Sequence, residues 1–308
     1  MGIKNLFKKR DLEIELETGE EIIYSSFYED AVKRLKKNKF AMISMYVLIA
    51  LVLMAIFAPL IAPYDPAEQD VYNIMQKPSS EHIFGTDEFG RDILSRIIYG
   101  ARISLSVGII AEAIAITIGV ILGSIAGYFG GKADMIISRL IEIFASFPQI
   151  LFALAIMFVL GPGIINLFIA IGFVGWTSVA RVIRGQIMQL KEKEYVEASI
   201  ASGGGGMRII FKHLIPNCLS TIIVIVTLNI PADIMYEASL SFLGLGVQPP
   251  TASWGAMINA ARAYIRANPH YSIFPGIAIM ITVLAFNMLG DGLRDALDPK
   301  LKNQGGGN

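Results

Sequence analysis

Six long apolar segments dominate this sequence of 308 residues. A helix needs roughly 20 mostly apolar residues to cross the hydrocarbon core of a bilayer. Segments of about that length cover residues 40–62, 103–128, 136–160, 164–183, 219–243 and 273–289. A Gly161-Pro162-Gly163 turn separates the third from the fourth, and Pro231 is expected to break the fifth near its middle. The pattern predicts an all-α, polytopic membrane protein with six transmembrane helices.

The composition agrees with a membrane protein and excludes several other classes. Hydrophobic residues make up 54% of the chain and charged residues 17%, which is far more apolar than a soluble domain requires. The formal net charge is +0, so no nucleic-acid partner is expected. A single cysteine excludes an internal disulfide, and the three histidines lack the spacing of metal ligands. We therefore expect a lipid membrane around the chain and no metal or cofactor bound by it.

Basic residues in the connecting segments predict the orientation of the spans. They cluster before the first span, between the second and third, between the fourth and fifth, and after the sixth. Because short loops rich in Lys and Arg stay in the cytoplasm, these segments and both termini are expected to be cytoplasmic. The first span begins too far from Met1 to be a cleavable signal peptide, and we interpret it as a retained anchor.

A polar connection interrupts the apolar sequence between the fourth and fifth spans. Its first part contains small side chains at Glu197-Ala198-Ser199, which would let another surface approach the backbone. The glycines from Gly203 to Gly206 are expected to end this first helix, because glycine adopts left-handed conformations at little cost. Pro216 fits the first turn of the fifth span. The apolar residues that recur at helical spacing between the glycines and this proline are Met207, Ile210, Phe211 and Leu214.

This connection is therefore predicted to form two short helices with a bend at the cytoplasmic face. Such an element suits either a plain connection between spans or the docking of a soluble partner. Its sequence is similar to the EAA loop in the permease subunits of bacterial ATP-binding-cassette importers, whose pattern is E-A-A, three residues, G, nine residues, I-x-L-P. Here Ser199, His213 and Ile215 replace the second alanine, the isoleucine and the leucine. The resemblance implies that ATP hydrolysis is coupled to transport through Glu197, Ala198, Ser199, Gly203, His213 and Pro216.

Three further stretches narrow the resemblance to one branch of these permeases. The stretches are residues 82–92 (HIFGTDEFGRD), residues 237–246 (EASLSFLGLG) and residues 290–299 (GDGLRDALDP). They resemble the C-type permease subunits of dipeptide and oligopeptide importers. This resemblance implies the type I importer permease fold and a place in the bacterial inner membrane.

The same resemblance implies a set of partners. A B-type permease subunit would form the pathway together with this chain, and an extracellular or periplasmic binding protein would deliver the peptide. Two separate ATPase subunits would bind ATP and Mg²⁺. The sequence agrees, because it contains no G-x-x-x-x-G-K-[ST] motif and cannot supply a phosphate-binding loop of that kind. We therefore expect a subunit that is not itself an enzyme.

With this resemblance the chain divides into four predicted regions. Residues 1–39 form a cytoplasmic tail, and residues 40–101 form the first transmembrane helix with an extracellular segment. Residues 102–291 form the transmembrane permease domain, which includes the coupling loop at residues 190–216. Residues 292–308 form a second cytoplasmic tail.

Three acidic residues within the spans are candidates for the translocation pathway. Glu112 lies in the second span, and Asp233 and Glu237 lie in the fifth. Charges inside a bilayer are costly and usually face protein or water, so these carboxyl groups either line a polar pathway or pair with neighbouring helices. Glu142, one turn from Arg139 in the third span, is instead expected to pair locally.

Charged residues also cluster in the extracellular segment before the second span. Asp87, Arg91, Asp92 and Arg96 either contact the binding protein or satisfy one another in a network of charges. Both interpretations are kept at this point, because the sequence gives no means of choosing between them.

Two further patterns concern packing and depth in the membrane. Gly119, Gly123 and Gly127 recur every four residues in the second span and predict close contact with another helix. Trp176 and Trp254 are interpreted as anchors at the membrane interface.

Two alternative functions stand beside peptide import. The same scaffold could carry nickel, glutathione or short oligosaccharides. On composition alone the chain could also be a secondary transporter driven by protons or sodium, which predicts inverted repeats, broken helices and essential carboxylates. The polar loop at Glu197 has no role in that second alternative.

Overall fold

The computed structural model describes residues 27–298, so residues 1–26 and 299–308, the outer parts of the two predicted tails, lie outside the described residues. The helices are α1 (Phe27–Lys37), α2 (Lys39–Ile56), α3 (Ala58–Ile61), α4 (Ile93–Phe129), α5 (Gly131–Ala145), α6 (Gln149–Leu160), α7 (Ile164–Leu190), α8 (Glu194–Ala201), α9 (Gly206–Ile209), α10 (Ile215–Asn217), α11 (Leu219–Phe242), α12 (Trp254–Ala261) and α13 (His270–Leu297). A π-helical turn at Ile210–Leu214 joins α9 to α10. Between residues 27 and 298, β structure is limited to an isolated bridge between Thr86 and Asp92. The all-α prediction is confirmed.

Five of these helices, α2, α4, α7, α11 and α13, are long and apolar enough to cross a membrane. They correspond to the first, second, fourth, fifth and sixth predicted spans. The pair formed by α5 and α6 gives a sixth crossing if it is counted as one bent span.

The third predicted span is not one continuous helix. α5 ends at Ala145, α6 begins at Gln149, and the two axes differ by 87°. Pro148 stands at the break, where it lacks an amide hydrogen and disfavours helical geometry at the preceding residue. The proline therefore turns the chain sharply in a segment whose hydropathy alone predicted a straight helix.

Pro231, by contrast, does not break the fifth span, so that prediction is wrong. α11 runs without interruption from Leu219 to Phe242, with Pro231 buried inside it. Membrane helices tolerate proline where neighbouring helices surround the freed backbone carbonyl. Pro148 therefore separates two helices, whereas Pro231 lies inside one continuous helix.

α4 is the longest helix and extends ten residues beyond the start of the predicted second span. It begins after Asp92, whose side chain accepts a hydrogen bond from the amide of Ser95 at 2.8 Å. With 37 residues it measures about 55 Å, which exceeds the thickness of a bilayer core. Residues 93–101, at the end of the predicted extracellular segment, therefore form the first turns of this membrane helix.

Three glycines of α4 bring it against α7, as the spacing predicted. A Cβ atom on Gly119 would lie 2.6 Å from Cβ of Val179, and one on Gly123 would lie 2.6 Å from the carbonyl oxygen of Ala180. At Gly127 the same atom would lie 2.8 Å from the carbonyl oxygen of Arg184. The backbones of α4 and α7 therefore touch along three successive turns.

The two tryptophans lie in the protein interior, so their interpretation as interfacial anchors is wrong. Trp254 is fully buried, and its indole N–H donates to the carbonyl oxygen of Ile97 at 3.0 Å. Trp176 is also buried and meets Phe144 edge-on at a ring distance of 5.5 Å. Each ring joins two elements of the bundle instead of reaching the lipid headgroups.

We expect Gly123→Ala to destabilise the protein by about 1–3 kcal/mol, because the added methyl group meets backbone atoms of α7 that cannot rotate away. Gly185→Ala in α7 is the matched control, since a Cβ atom there meets nothing within 4 Å. Thermal unfolding of the purified protein in detergent measures both variants. Equal melting temperatures for the two would contradict the close contact.

Candidate coupling element and membrane cavity

The loop between α7 and α11 forms two short helical pieces with a bend, as predicted. α8 ends where Gly203 adopts a φ of +80°. The amide of Gly203 donates to the carbonyl of Ile200, and that of Gly204 to the carbonyl of Ser199, both at 2.9 Å. These bonds close the last turn of α8. Of the four consecutive glycines, Gly203 is the one with a positive φ.

The second piece departs from the predicted apolar stripe. Ile210 and Leu214 are buried as expected, but Met207 is 49% exposed and Phe211 56% exposed. Ile209, which the spacing placed outside the stripe, is fully buried. The prediction is therefore wrong for two of its four residues.

The π-helical turn explains this difference. Within it the amide of Ile215 donates to the carbonyl of Ile210, five residues earlier, which makes the turn wider than an α-helical one. Buried residues consequently recur every four positions, at Ile210, Leu214 and Cys218. Pro216 falls in the first turn of the short α10, one turn before α11 begins at Leu219.

A buried cluster fixes this loop to the transmembrane helices. α8 contributes Val196, its one buried residue. The cluster consists of Val120, Val179, Ile183, Ile187, Val196, Ile209, Ile210, Leu214 and Cys218. It joins the loop to α7 and to the C-terminal half of α4, the two helices that the glycines hold together.

Gly206 seats the loop on the end of α4. A Cβ atom there would lie 2.8 Å from Cε1 of Tyr128 and 3.1 Å from Cε1 of Phe129, which is closer than such atoms normally approach. No pattern in the sequence distinguishes Gly206 from the glycines before it. Its role differs from that of Gly203, since Gly206 allows a close approach and Gly203 allows an unusual backbone angle.

The outward side of the loop is apolar at several points. Of the predicted coupling residues, Glu197, Ala198, Gly203 and Pro216 are exposed, whereas Ser199 and His213 are partly buried. The exposed residues that we call the loop face are Tyr195, Glu197, Ala198, Ile200, Met207 and Phe211. Contiguous exposed apolar side chains of this kind mark surfaces that meet another protein or lipid.

An ion pair ties the bent α5–α6 pair to α7 near this loop. Arg184 donates two hydrogen bonds to Asp134, one of them from Nη2 to Oδ2 at 2.7 Å. Such two-point pairing of guanidinium with carboxylate fixes orientation as well as distance. The residues are 50 positions apart, so the sequence offered no signal for their contact.

A small cavity opens among α4, α6, α7 and α11, within the candidate membrane spans. Its volume is about 40 Å³, which has room for a few water molecules. The polar residues that line it are Glu112, Gln149, Ser178, Asn229, Asp233 and Tyr236.

Two of the three predicted pathway residues meet in this cavity. Glu112 and Asp233 are 2% and 6% exposed, and both line the cavity. The amide nitrogen of Asn229 donates to Oε1 of Glu112 at 3.2 Å. Oδ2 of Asp233 is buried and has no hydrogen-bond partner among the described residues. A role of this pair in translocation stays a prediction.

Glu237 lies apart from the cavity and joins helices instead. It is fully buried and accepts hydrogen bonds from the hydroxyls of Ser241 at 2.7 Å and Ser104 at 3.1 Å. The same Ser104 oxygen accepts from the amide of Trp254 at 3.3 Å. Glu237 thus connects α11, α4 and the start of α12, which favours the pairing interpretation for this residue.

The charged residues of the predicted extracellular segment form an internal network. Asp87, Arg91, Asp92 and Arg96 are at most 4% exposed. Asp87 Oδ2 lies 2.6 Å from Nε of Arg91 and 3.3 Å from Nε of Arg96, and Asp92 accepts from His82 Nδ1 at 3.0 Å. Their burial favours the self-satisfied network over direct contact with a binding protein, because their side chains do not reach the surface.

Two family models match this chain. Residues 119–303 match the binding-protein-dependent transport system inner membrane component family, and residues 26–78 match the N-terminal transmembrane domain of oligopeptide transport permease C. The chain belongs to the binding-protein-dependent transport system inner membrane component family. It is therefore an integral inner-membrane permease component. This membership supports binding-protein-dependent import over secondary transport.

Curated relatives match over almost the whole chain. The dipeptide transport system permease protein DppC of Alkalihalophilus pseudofirmus is 48% identical over 90% of this chain and 91% of its own length. The oligopeptide transport system permease protein OppC of Bacillus subtilis is 44% identical over 90% and 91%. The glutathione transport system permease protein GsiD of Escherichia coli is 46% identical over 88% and 89%.

A solved structure supports the fold of this permease component. A chain of the MetNI methionine ABC transporter, in an inward-facing conformation, superposes with a TM-score of 0.54. The match covers 67% of this chain and 98% of that one at 19% identity. The predicted importer permease fold is confirmed. The four predicted region boundaries stay predictions.

We expect Asp87→Ala to destabilise the protein by about 3–5 kcal/mol, because it leaves two buried guanidinium groups without their shared carboxylate. Glu142→Ala removes a salt bridge to Arg139 that has a similar length but lies between two side chains that are more than half exposed. It should lower the free energy of unfolding by at most about 1 kcal/mol. Thermal unfolding compares the two variants. A similar loss in both would contradict the central position of Asp87.

Proposed function

We propose that this chain is the C-type permease subunit of an ATP-driven importer that takes up dipeptides or short oligopeptides. The relatives are named for dipeptides, oligopeptides and glutathione, and glutathione is itself a tripeptide. Small peptides are therefore the chemistry that these names share. Nickel and oligosaccharides are less well supported as substrates, because these relatives are named for peptides.

The observation that carries this proposal is how the loop that bears the loop face packs against α4 and α7. The loop is fixed to α7 and α4 by buried residues on its inner side, and it presents an apolar face with Glu197 on its outer side. An element with this construction can receive a push from a soluble partner and pass it to two membrane helices as a rigid body. A plain connection would need neither the buried seat nor the exposed face.

The proposed partners are those that the resemblance to peptide importers implies. A B-type permease subunit would complete the pathway, and a binding protein outside the membrane would deliver the peptide. Two ATPase subunits would bind ATP and Mg²⁺ and would contact the loop face of each permease. This chain would then contribute movement and a pathway and would catalyse no reaction.

We propose that the loop and both termini are cytoplasmic, on the basis of the basic connecting segments. Two cysteine variants test this orientation with a membrane-impermeant maleimide. Tyr72→Cys, at a site 93% exposed on the opposite side, should react in intact cells. Glu192→Cys, at an exposed site before α8, should react only after the membrane is opened. The reverse pattern would show the opposite orientation.

We expect Glu197→Lys to reduce ATP-dependent peptide uptake at least about tenfold, because a coupling of roughly 1–3 kcal/mol between the ATPase and the pathway would be lost. The protein should still reach the membrane, since Glu197 is exposed and outside the buried cluster. Glu192→Lys is the control, as it makes the same charge change at an exposed site before α8.

Peptide uptake by intact cells or by reconstituted vesicles loaded with ATP, measured together with ATP hydrolysis, checks this prediction. Gly203→Asp should act in the same direction, because its φ of +80° is unfavourable for a residue with a side chain. Full uptake in Glu197→Lys would refute the coupling role of the loop face.

A further inference from the structure

We infer that the cavity at Glu112 and Asp233 binds a cation of ammonium size. If the proposed function holds, on which this second step rests, the ligand is the free amino terminus of the transported peptide. No relative's name assigns such a site, and it lies away from the loop face.

The first argument is an unmet need for a donor. Glu112 and Asp233 line the same cavity, and an ionised carboxyl group can only accept hydrogen bonds. The side-chain amide of Asn229 donates a hydrogen bond to Glu112, but Oδ2 of Asp233 has no hydrogen-bond partner among the described residues. A buried acceptor in this state costs free energy until a donor reaches it.

Glu237 shows that this need is not general for carboxylates in α11. One turn after Asp233, it accepts hydrogen bonds on both of its oxygens from the hydroxyls of Ser241 and Ser104. The helix therefore satisfies a carboxylate whose role is structural. Asp233 lines the cavity, and its buried Oδ2 has no hydrogen-bond partner among the described residues.

The second argument is the chemistry of the lining. Among the residues that line the cavity there is no Lys, Arg or His that could neutralise the two carboxyl groups. The ring of Tyr236 stands in the wall, and its hydroxyl donates to Oε1 of Gln149 at 2.7 Å. Carboxylates beside an aromatic ring are suited to an ammonium group.

A divalent metal ion fits this cavity less well. Mg²⁺ and Ca²⁺ take six or more oxygen ligands, and the amide of Asn229 presents a donor to Glu112. Within residues 27–298, no group of three or more acidic, histidine or cysteine side chains could hold a metal ion. Two carboxylates and an aromatic wall remain as the recognisable features.

The third argument is size and access. A volume of about 40 Å³ accepts an ammonium group but not the body of a peptide. Ser178 of α7 and Ala232 of α11 line the cavity and are themselves exposed, so the site can be reached from outside the chain. A peptide could therefore insert its amino terminus while its remainder lies along the outer surface of α7 and α11.

The test uses Ser178→Cys in the assembled importer, without its binding protein. The rate of modification is measured with aminoethyl methanethiosulfonate, a cation, and with sulfonatoethyl methanethiosulfonate, an anion. The same ratio at Tyr72→Cys, 93% exposed and outside the cavity, gives the reference. The native Cys218 contributes little, because it is fully buried and burial raises the pKa of its thiol to about 11.

We expect the cationic reagent to be favoured at Ser178→Cys by about tenfold or more over the reference ratio, because two buried carboxylates concentrate cations locally. Adding Glu112→Gln and Asp233→Asn should return the ratio to that of the reference. Adding Glu142→Gln, which removes an exposed carboxylate elsewhere, should leave it unchanged. A preference that survives the double substitution would overturn the site. No preference at all would also overturn it, and is the result expected if the two carboxyl groups held only a shared proton.

Protection experiments then identify the source of the ammonium group. Glycylglycine should slow the modification, whereas N-acetylglycylglycine at the same concentration should not. Equal protection by both peptides would overturn the assignment to the amino terminus. Equal protection by sodium chloride, with choline chloride as the control for ionic strength, would show a free cation and overturn the peptide source.

This test and that of the proposed function fail separately. An importer that takes up no peptide but shows the charge preference would refute peptide import and keep the cation site. An importer that takes up peptide without the charge preference would refute the site and keep the proposed function.

Discussion

The glycine contact between α4 and α7 is the interaction on which the rest of the molecule depends. Lipid tails are as apolar as helix side chains, so helices in a membrane gain little from burial alone and associate through close packing. Gly119, Gly123 and Gly127 permit that packing along three turns. The paired helices then form two walls of the cavity at one level, and at another they pack against the loop between α7 and α11.

Much of the fold could be predicted because the bilayer imposes simple rules on a sequence. Length and hydropathy located the spans, the repeat of glycines predicted a close helix contact, and polar residues with glycines predicted a bent loop. In each case the signal lies within a short stretch of chain. The acidic residues Glu112 and Asp233 were found for the same reason, since a charge within a span is conspicuous.

The features that could not be predicted depend on partners that are distant in sequence or on local geometry. Arg184 and Asp134 are 50 positions apart, and Glu237 meets Ser104 across 133 positions. The sharp bend at Pro148 and the continuous helix at Pro231 begin from the same residue type, and their surroundings decide the outcome. The π-helical turn likewise exchanged exposed and buried positions in a stretch with regular spacing.

α4 links the two ends of the molecule in a single uninterrupted helix. Its first turn is capped by Asp92 within the buried charge network, and its last turn carries Tyr128 against Gly206 of the loop. A continuous helix of about 55 Å has no joint at which one end could stay still while the other tilts. If the loop moves, the opposite end of α4 must therefore move with it, as a lever does about a pivot at the glycine contact.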